Sequence, residues 1–188
     1  MRPIFLLLVL GLAACREEIA QAVDPVALTP DAVGHFCQMN LTEHEGPKAQ
    51  VHLEGLPGAP LFFSQVRDAV AYTRLPEQTH TILAVWVNDM GAAGAQWSEP
   101  GATNWIALED AHLVVGSTRD GGMGAPELVP FSDPAAAEAF RADNGGTVMR
   151  VAQIPDEAVM APVSDGAEAE DDSDFKRRLK ALSERSGG

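Results

Sequence analysis

Ala49-Gln50-Val51-His52-Leu53, a turn through Gly55-Leu56-Pro57-Gly58, and Leu61-Phe62-Phe63-Ser64 form the segment from which the architecture unfolds. Apolar and polar residues alternate from Ala49 to Leu53, the two-residue period of a strand. The glycines and Pro57 mark a turn, and Leu61 to Phe63 reads as a second strand. Ser64 stands where a helix N-cap is expected. Beyond it Val66, Val70 and Ala71 share one face of a helix that runs to about Arg74. Thr81 to Val87 is β-rich and nearly continuously apolar, the composition of a buried strand. The order is strand, strand, helix, strand.

The order recurs downstream. Trp105 to Leu108 and Ala111 to Val115 read as two strands, followed by a Gly-rich loop. Ser132-Asp133-Pro134 opens a helix, with Pro in its tolerated first turn. That helix contains Ala137, Phe140 and Arg141. Asn144-Gly145-Gly146 closes it, because Asn and Gly accept the left-handed backbone at a helix end. Thr147 to Ala152 is the last strand. The expected fold is α+β: two tandem ββαβ units packed together, over residues 33–90 and 91–154. Each unit alone buries too little surface to be stable.

A chain of 188 residues suits one domain or two very small ones. Its 46% hydrophobic residues are ordinary for a globular protein. A net charge of −14 argues against nucleic-acid binding, which needs a basic face. Two cysteines cannot build a disulfide scaffold or a four-cysteine zinc site. His35, His44, His52, His80 and His112 lack the spacing of a zinc hydrolase.

Met1-Arg2-Pro3, the apolar run Ile4 to Leu12, and Ala13-Ala14 read as a signal peptide over residues 1–14. The run is shorter than the roughly 20 residues that span a bilayer. Leu12-Ala13-Ala14-Cys15 has the form of a bacterial lipobox, which would lipidate Cys15. The alternative is an ordinary secretory cleavage site beside a cysteine. Residues 15–32 then form a flexible tether, with Pro25 and Pro30 and few aromatics. Arg16, in place of Asp, leans toward the outer membrane of a Gram-negative bacterium, with the body in the periplasm. Residues 155–188 are expected to be a disordered tail. Pro155 to Asp174 is acidic, without Lys or Arg, and cannot bury a core. Phe175, Leu179 and Leu182 among basic residues allow a short amphipathic helix, so a docking tail is the alternative.

Cys37, in Gly34-His35-Phe36-Cys37-Gln38-Met39-Asn40, is the candidate site. A lone thiol in an oxidising compartment needs a reason. Met39 follows two residues later, and in an extended segment both sulfurs point to one side. Thiolate and thioether together select Cu(I) over harder ions. Met123, in Gly121-Gly122-Met123-Gly124, has little core to fill and is a candidate third donor. His44 is either a ligand or a solvated loop histidine. Asp89, Glu127 and the overall acidity are read as charges that steer basic partners, with ordinary surface charges as the favoured alternative for any single one. Other readings of Cys37 stay open. It could be a small buried hydrophobe with Met39 as filler, an intermolecular disulfide, or an enzyme nucleophile with His35 as base. A copper-independent structural lipoprotein is a further alternative.

Several motifs occur in order: Leu12-Ala13-Ala14-Cys15, Phe36-Cys37-Gln38-Met39, His44-Glu45-Gly46-Pro47-Lys48-Ala49-Gln50, Val87-Asn88-Asp89-Met90, Asn104-Trp105-Ile106, Gly116-Ser117 and Gly121-Gly122-Met123-Gly124-Ala125-Pro126-Glu127. Over residues 12–154 the chain thereby resembles the NosL family, lipoprotein copper chaperones of nitrous oxide reductase maturation. The resemblance implies two ββαβ units in a periplasm-facing, outer-membrane lipoprotein. It implies Cu(I) bound by Cys37 and Met39, with Met123 as a further ligand and His44, the weakest of the four, near the metal. It implies copper delivery to apo nitrous oxide reductase, with a periplasmic scaffold protein and an ABC-type membrane complex, and no catalysis. It says nothing about the tail beyond Pro155.

Overall fold

The computed structural model describes residues 20–160 and Lys180. The signal peptide, the proposed lipidation at Cys15 and nearly all of the tail beyond Met160 lie outside the described residues. Strands β1 (Ala49–Leu53) and β2 (Leu61–Phe63), helix α1 (Val66–Arg74) and strand β3 (Ile82–Asn88) form the first unit. Strand β4 (Trp105–Ala107) follows. Strands β5 (His112–Val115) and β6 (Val129–Phe131), helix α2 (Pro134–Asn144) and strand β7 (Thr147–Met149) form the second, and a short helix α3 (Glu157–Met160) ends the described chain. The result is a mixed fold with two antiparallel sheets, ordered β2-β1-β3-β4 and β6-β5-β7. In both units the first strand lies between the second and third.

Three strand assignments differ from expectation, the simplest being the closing strand, which ends at Met149 before a 3-10 turn over Val151–Gln153. Trp105–Ala107 does not open the second unit; it pairs with β3 as the fourth strand of the first sheet. The strand taking its place is Val129–Phe131, hidden from pattern reading by Pro130. Proline removes a ladder donor and is confined to edges, and β6 is an edge strand of the second sheet. Once Phe131 is placed, a repeat by identity becomes visible. Phe63-Ser64 precedes α1 as Phe131-Ser132 precedes α2, and Ala69 and Ala137, equally spaced from them, are both fully buried.

Ala49, Val51 and Leu53 bury one face of β1 in the main core, with Phe63, Val66, Ala69, Val70 and Val87. Leu108, Leu113, Leu128 and Ile154 join the same cluster, so the two sheets share a core. A smaller cluster of Val114, Val129, Phe131 and Ala137 lies under α2.

The polar face of β1 is equally buried, which corrects the expectation of a free tether over residues 15–32. From Ala20 onward the segment lies against the first sheet. Gln21 donates to the Leu53 carbonyl and accepts from the Gly55 N–H, at 2.8 and 2.9 Å. The Gln50 amide takes both backbone groups of Val26, at 2.8 and 3.0 Å. Trp86 donates its indole N–H to Val23 O. Buried polar groups need such partners, and the covering backbone supplies them.

The start of the tail is also ordered. Arg74 donates to the carbonyls of Val151 and Ile154 and pairs with Asp156 at 2.8 Å. Val159 on α3 is buried in the main core. The disordered tail is therefore not present from residue 155 to 160.

Candidate metal centre

The segment around Cys37 is a closed loop fastened to the free edge of β2. Val33 and Asn40 bridge its two ends, and Gly34 pairs with Phe62. The His35 N–H donates to Phe62 O at 2.6 Å. Inside the loop the Gly34 N–H reaches Met39 O, and the Gln38 N–H reaches Gly34 O. Gln38 adopts φ 56°, the left-handed region, and its side chain donates to the His35 carbonyl at 2.6 Å. Gly34 is required by space, because a Cβ there would collide with Cys37 Sγ. The extended Cys-x-Met geometry expected from sequence is thus replaced by a turn. The sulfurs of Cys37 and Met39 are not set side by side by strand alternation.

His35, Phe36, Phe63 and Tyr72 form one aromatic cluster, with ring centroids 5.2–6.1 Å apart. Such contacts add about 1 kcal/mol per pair beyond burial, and here they seat the loop on β2 and α1. The His35 ring belongs to that cluster. Cys37 Sγ lies 3.9 Å from the Met39 carbonyl oxygen.

Half-buried Cys37 faces a cavity of about 220 Å³ that Met123 also lines, together with Phe36, Gln65, Arg67 and Asp68. The fold therefore brings together a thiol and a thioether separated by 86 residues in the chain. Met123 and Met39 are 43% and 40% exposed. Met39 is outside that cavity's lining, although it closes the same loop. His44 borders a different cavity, of about 550 Å³, between Leu28–Pro30 and Ser98–Ala102. Its Nδ1 lies 2.9 Å from the carbonyl oxygen of Gly122, next to Met123. That bond requires the proton on Nδ1, so in the neutral ring Nε2 carries the lone pair, buried and without a partner.

The Met123 turn is held from the first half of the chain. Gln65 donates to Ala125 O at 3.2 Å. Glu127 Oε1 accepts from the backbone N–H groups of Arg67 and Leu128, at 3.1 and 2.9 Å. Glu127 thereby caps α1, whose N-cap residue is Gln65 and not the expected Ser64. Burial pushes the Glu127 carboxyl up to about 8, against the pull of the two N–H groups and Lys48. Lys48, 1% exposed, donates to the carbonyls of Glu45, Gly46 and Ser64. Burial lowers its pKa to about 8, opposed by the charges of Glu127, Cys37 and Glu45.

Glu127 and Asp89 are corrections to the sequence reading. Both are buried, at 1% and 8% exposure, and neither presents a docking charge. Asp89 accepts from the Gly91 N–H and from Ser132, ahead of α2. Gln65 and Lys48 carried no local signal of their role. Gln65 bonds a carbonyl 60 residues away, whereas Lys48 bonds the nearby carbonyls of Glu45 and Gly46 and that of Ser64.

Among the described residues, no three His, Cys, Asp or Glu side chains gather closely enough to hold a metal ion. The two sulfurs that line one cavity, of Cys37 and Met123, are soft, a character that would suit a low-coordinate soft cation. No helix of the described residues is long and apolar enough to cross a membrane.

The NosL family model matches residues 25–159. The chain is 57% identical over 178 residues to the copper-binding lipoprotein NosL of Achromobacter cycloclastes, covering 94% of this chain and 92% of that protein. It is 32% identical over 157 residues to the copper-binding lipoprotein NosL of Stutzerimonas stutzeri, covering 82% and 78%. The crystal structure of the copper chaperone NosL from Shewanella denitrificans superposes with a TM-score of 0.64 at 30% identity, over 70% of this chain and 95% of that one. A family match across the whole folded body, with the same fold in a solved relative, leads to one conclusion: the chain belongs to the NosL family.

Proposed function

We propose that this protein is a Cu(I) metallochaperone that binds and transfers copper without catalysing a reaction. The convergence of Cys37 and Met123 on one cavity carries the reading. Copper is cargo. Cu(I) displaces the thiol proton of Cys37, and the Cu–S bond leaves a neutral site and one free proton. Met123 adds a thioether, Met39 lies at the rim of the same loop as a third sulfur, and His44 is the weakest candidate donor. Few ligands and an open side allow a partner's donor to enter and draw the ion away. The names of the relatives support copper as the cargo.

The finer reading is copper delivery to apo nitrous oxide reductase, together with a periplasmic scaffold protein and an ABC-type membrane complex. A signal peptide over residues 1–14 and a lipid on Cys15 would hold the body on the periplasmic face of the outer membrane. Anaerobic Cu(I) titration against a competing chelator tests the site. The expected result is about one Cu(I) per chain and loss of tight binding in Cys37→Ser. Unchanged affinity in that variant would sink the assignment. Activation of apo nitrous oxide reductase by the copper-loaded protein tests delivery.

A further inference from the structure

The turn carrying Met123 leaves the second sheet between β5 and β6, yet three cross-links fasten it to the first half of the chain. Gln65 Nε2 donates to Ala125 O, the Arg67 N–H donates to Glu127 Oε1, and His44 Nδ1 donates to Gly122 O. The turn is also tied within itself. The Gly121 N–H donates to Ala125 O and the Gly124 N–H to Gly121 O, both at 2.8 Å. Gly121 packs directly on the two buried side chains. A Cβ there would fall inside contact distance of Gln65 Nε2 and Glu127 Oε2. Both side chains are buried, at 1% exposure each, and hydrogen-bonded where they stand. Gln65 itself lines the Cys37–Met123 cavity. The clamps act on the backbone on either side of Met123 and leave its thioether exposed.

We propose that Gln65 and Glu127 are positioning residues that clamp the Met123 turn, through the bare Cα of Gly121, so that its thioether stands beside Cys37. The proposal rests on the reading of these two sulfurs as donors to Cu(I). An ordered pair of donors binds more tightly than a thiol with a loose methionine nearby, because the turn is organised before the ion arrives. Groups that orient ligands typically change metal affinity by about 10- to 100-fold when removed.

The test is anaerobic Cu(I) titration against a chromophoric chelator for Gly121→Ala and Gln65→Met, each with Met123 present and with Met123→Ala. Each single change is expected to weaken Cu(I) binding by about tenfold or more. Each is expected to have an effect below about twofold once Met123 is alanine, because the double-mutant cycle removes what the clamp acts upon. Glu127→Ala removes the oxygen that accepts from Arg67 and Leu128 and is expected to weaken binding by about tenfold when Met123 is present, whereas Glu127→Gln, which keeps that oxygen, should restore binding to within about twofold of the parent. Equal losses with and without Met123 would overturn the proposal, since a merely structural role ignores residue 123. Glu127→Ala binding as tightly as the parent would overturn the part given to Glu127. Binding that disappears in Cys37→Ser but ignores Met123→Ala would overturn the clamp and leave the chaperone reading standing. A parent that binds no Cu(I) would overturn that reading itself. Should Gly121→Ala fail to fold, Gln65→Met decides the outcome.

Discussion

Gln38 shows how much one backbone angle settles at this site. At φ 56° it turns the chain between Cys37 and Met39, and its amide reaches back to His35 O. A side chain with a branched Cβ resists that conformation. Gln38→Val should lower stability by about 2 kcal/mol, seen in chemical denaturation. It should also raise the rate of Cys37 alkylation as the loop loosens. Unchanged stability would mean that the turn is not fixed by this residue. Nothing in Phe36-Cys37-Gln38-Met39 announces the left-handed angle, since glutamine rarely adopts it. The two sulfurs of the loop were therefore legible, but the turn between them was not.

At the scale of elements, each long helix begins at a carboxylate from the other half of the chain. Glu127 meets the first turn of α1, and Asp89 holds Ser132 ahead of α2. A helix N-terminus favours a negative neighbour, but burial opposes ionisation, and for Glu127 burial prevails. Its carboxyl rises from 4.5 to about 8 on folding. Unfolded Glu127 loses its proton near 4.5, while the folded form keeps it until about 8. Over that window the folded state holds more protons, so this residue's stabilising contribution is lost as pH rises. The melting temperature of Glu127→Gln minus that of the parent should therefore increase from pH 5 to pH 8 and then level off. A difference that stays flat, read by circular dichroism, would contradict this. Glu127 looked like a surface charge because an acid in a Gly-rich loop normally is one.

In the whole molecule, the segment from Ala20 to Ala32 is a structural strap along the first sheet. It covers Gln50 and His52, both fully buried on the polar face of β1. Deleting residues 20–31 should uncover that face, remove the bonds to Gln50, Leu53 and Trp86, and cost about 3 kcal/mol or more. Trp86 emission should shift to the red as its indole loses Val23 O. A deletion variant with the parent's melting temperature and emission would show that the strap contributes nothing. Arg74 performs a matching task at the other end, binding the chain that follows β7 to α1.

Local pattern was enough for most elements. Alternation marked β1, apolar density marked β3, and Asp133-Pro134 with Gly145-Gly146 bounded α2, because these signals act within a few residues. The soft character of Cys37, Met39 and Met123 was equally readable, since a thiol and thioethers are soft wherever they sit. Strand pairing was not readable, because ladder hydrogen bonds join backbone groups that are alike in every residue. That is why Trp105–Ala107 joined the first sheet and Val129–Phe131 took its expected place in the second unit. The burial of Glu127, and the cavity that Cys37 and Met123 share, also awaited the folded chain. Each depends on partners dozens of residues away, and only packing of the two sheets on one core brings those partners within reach.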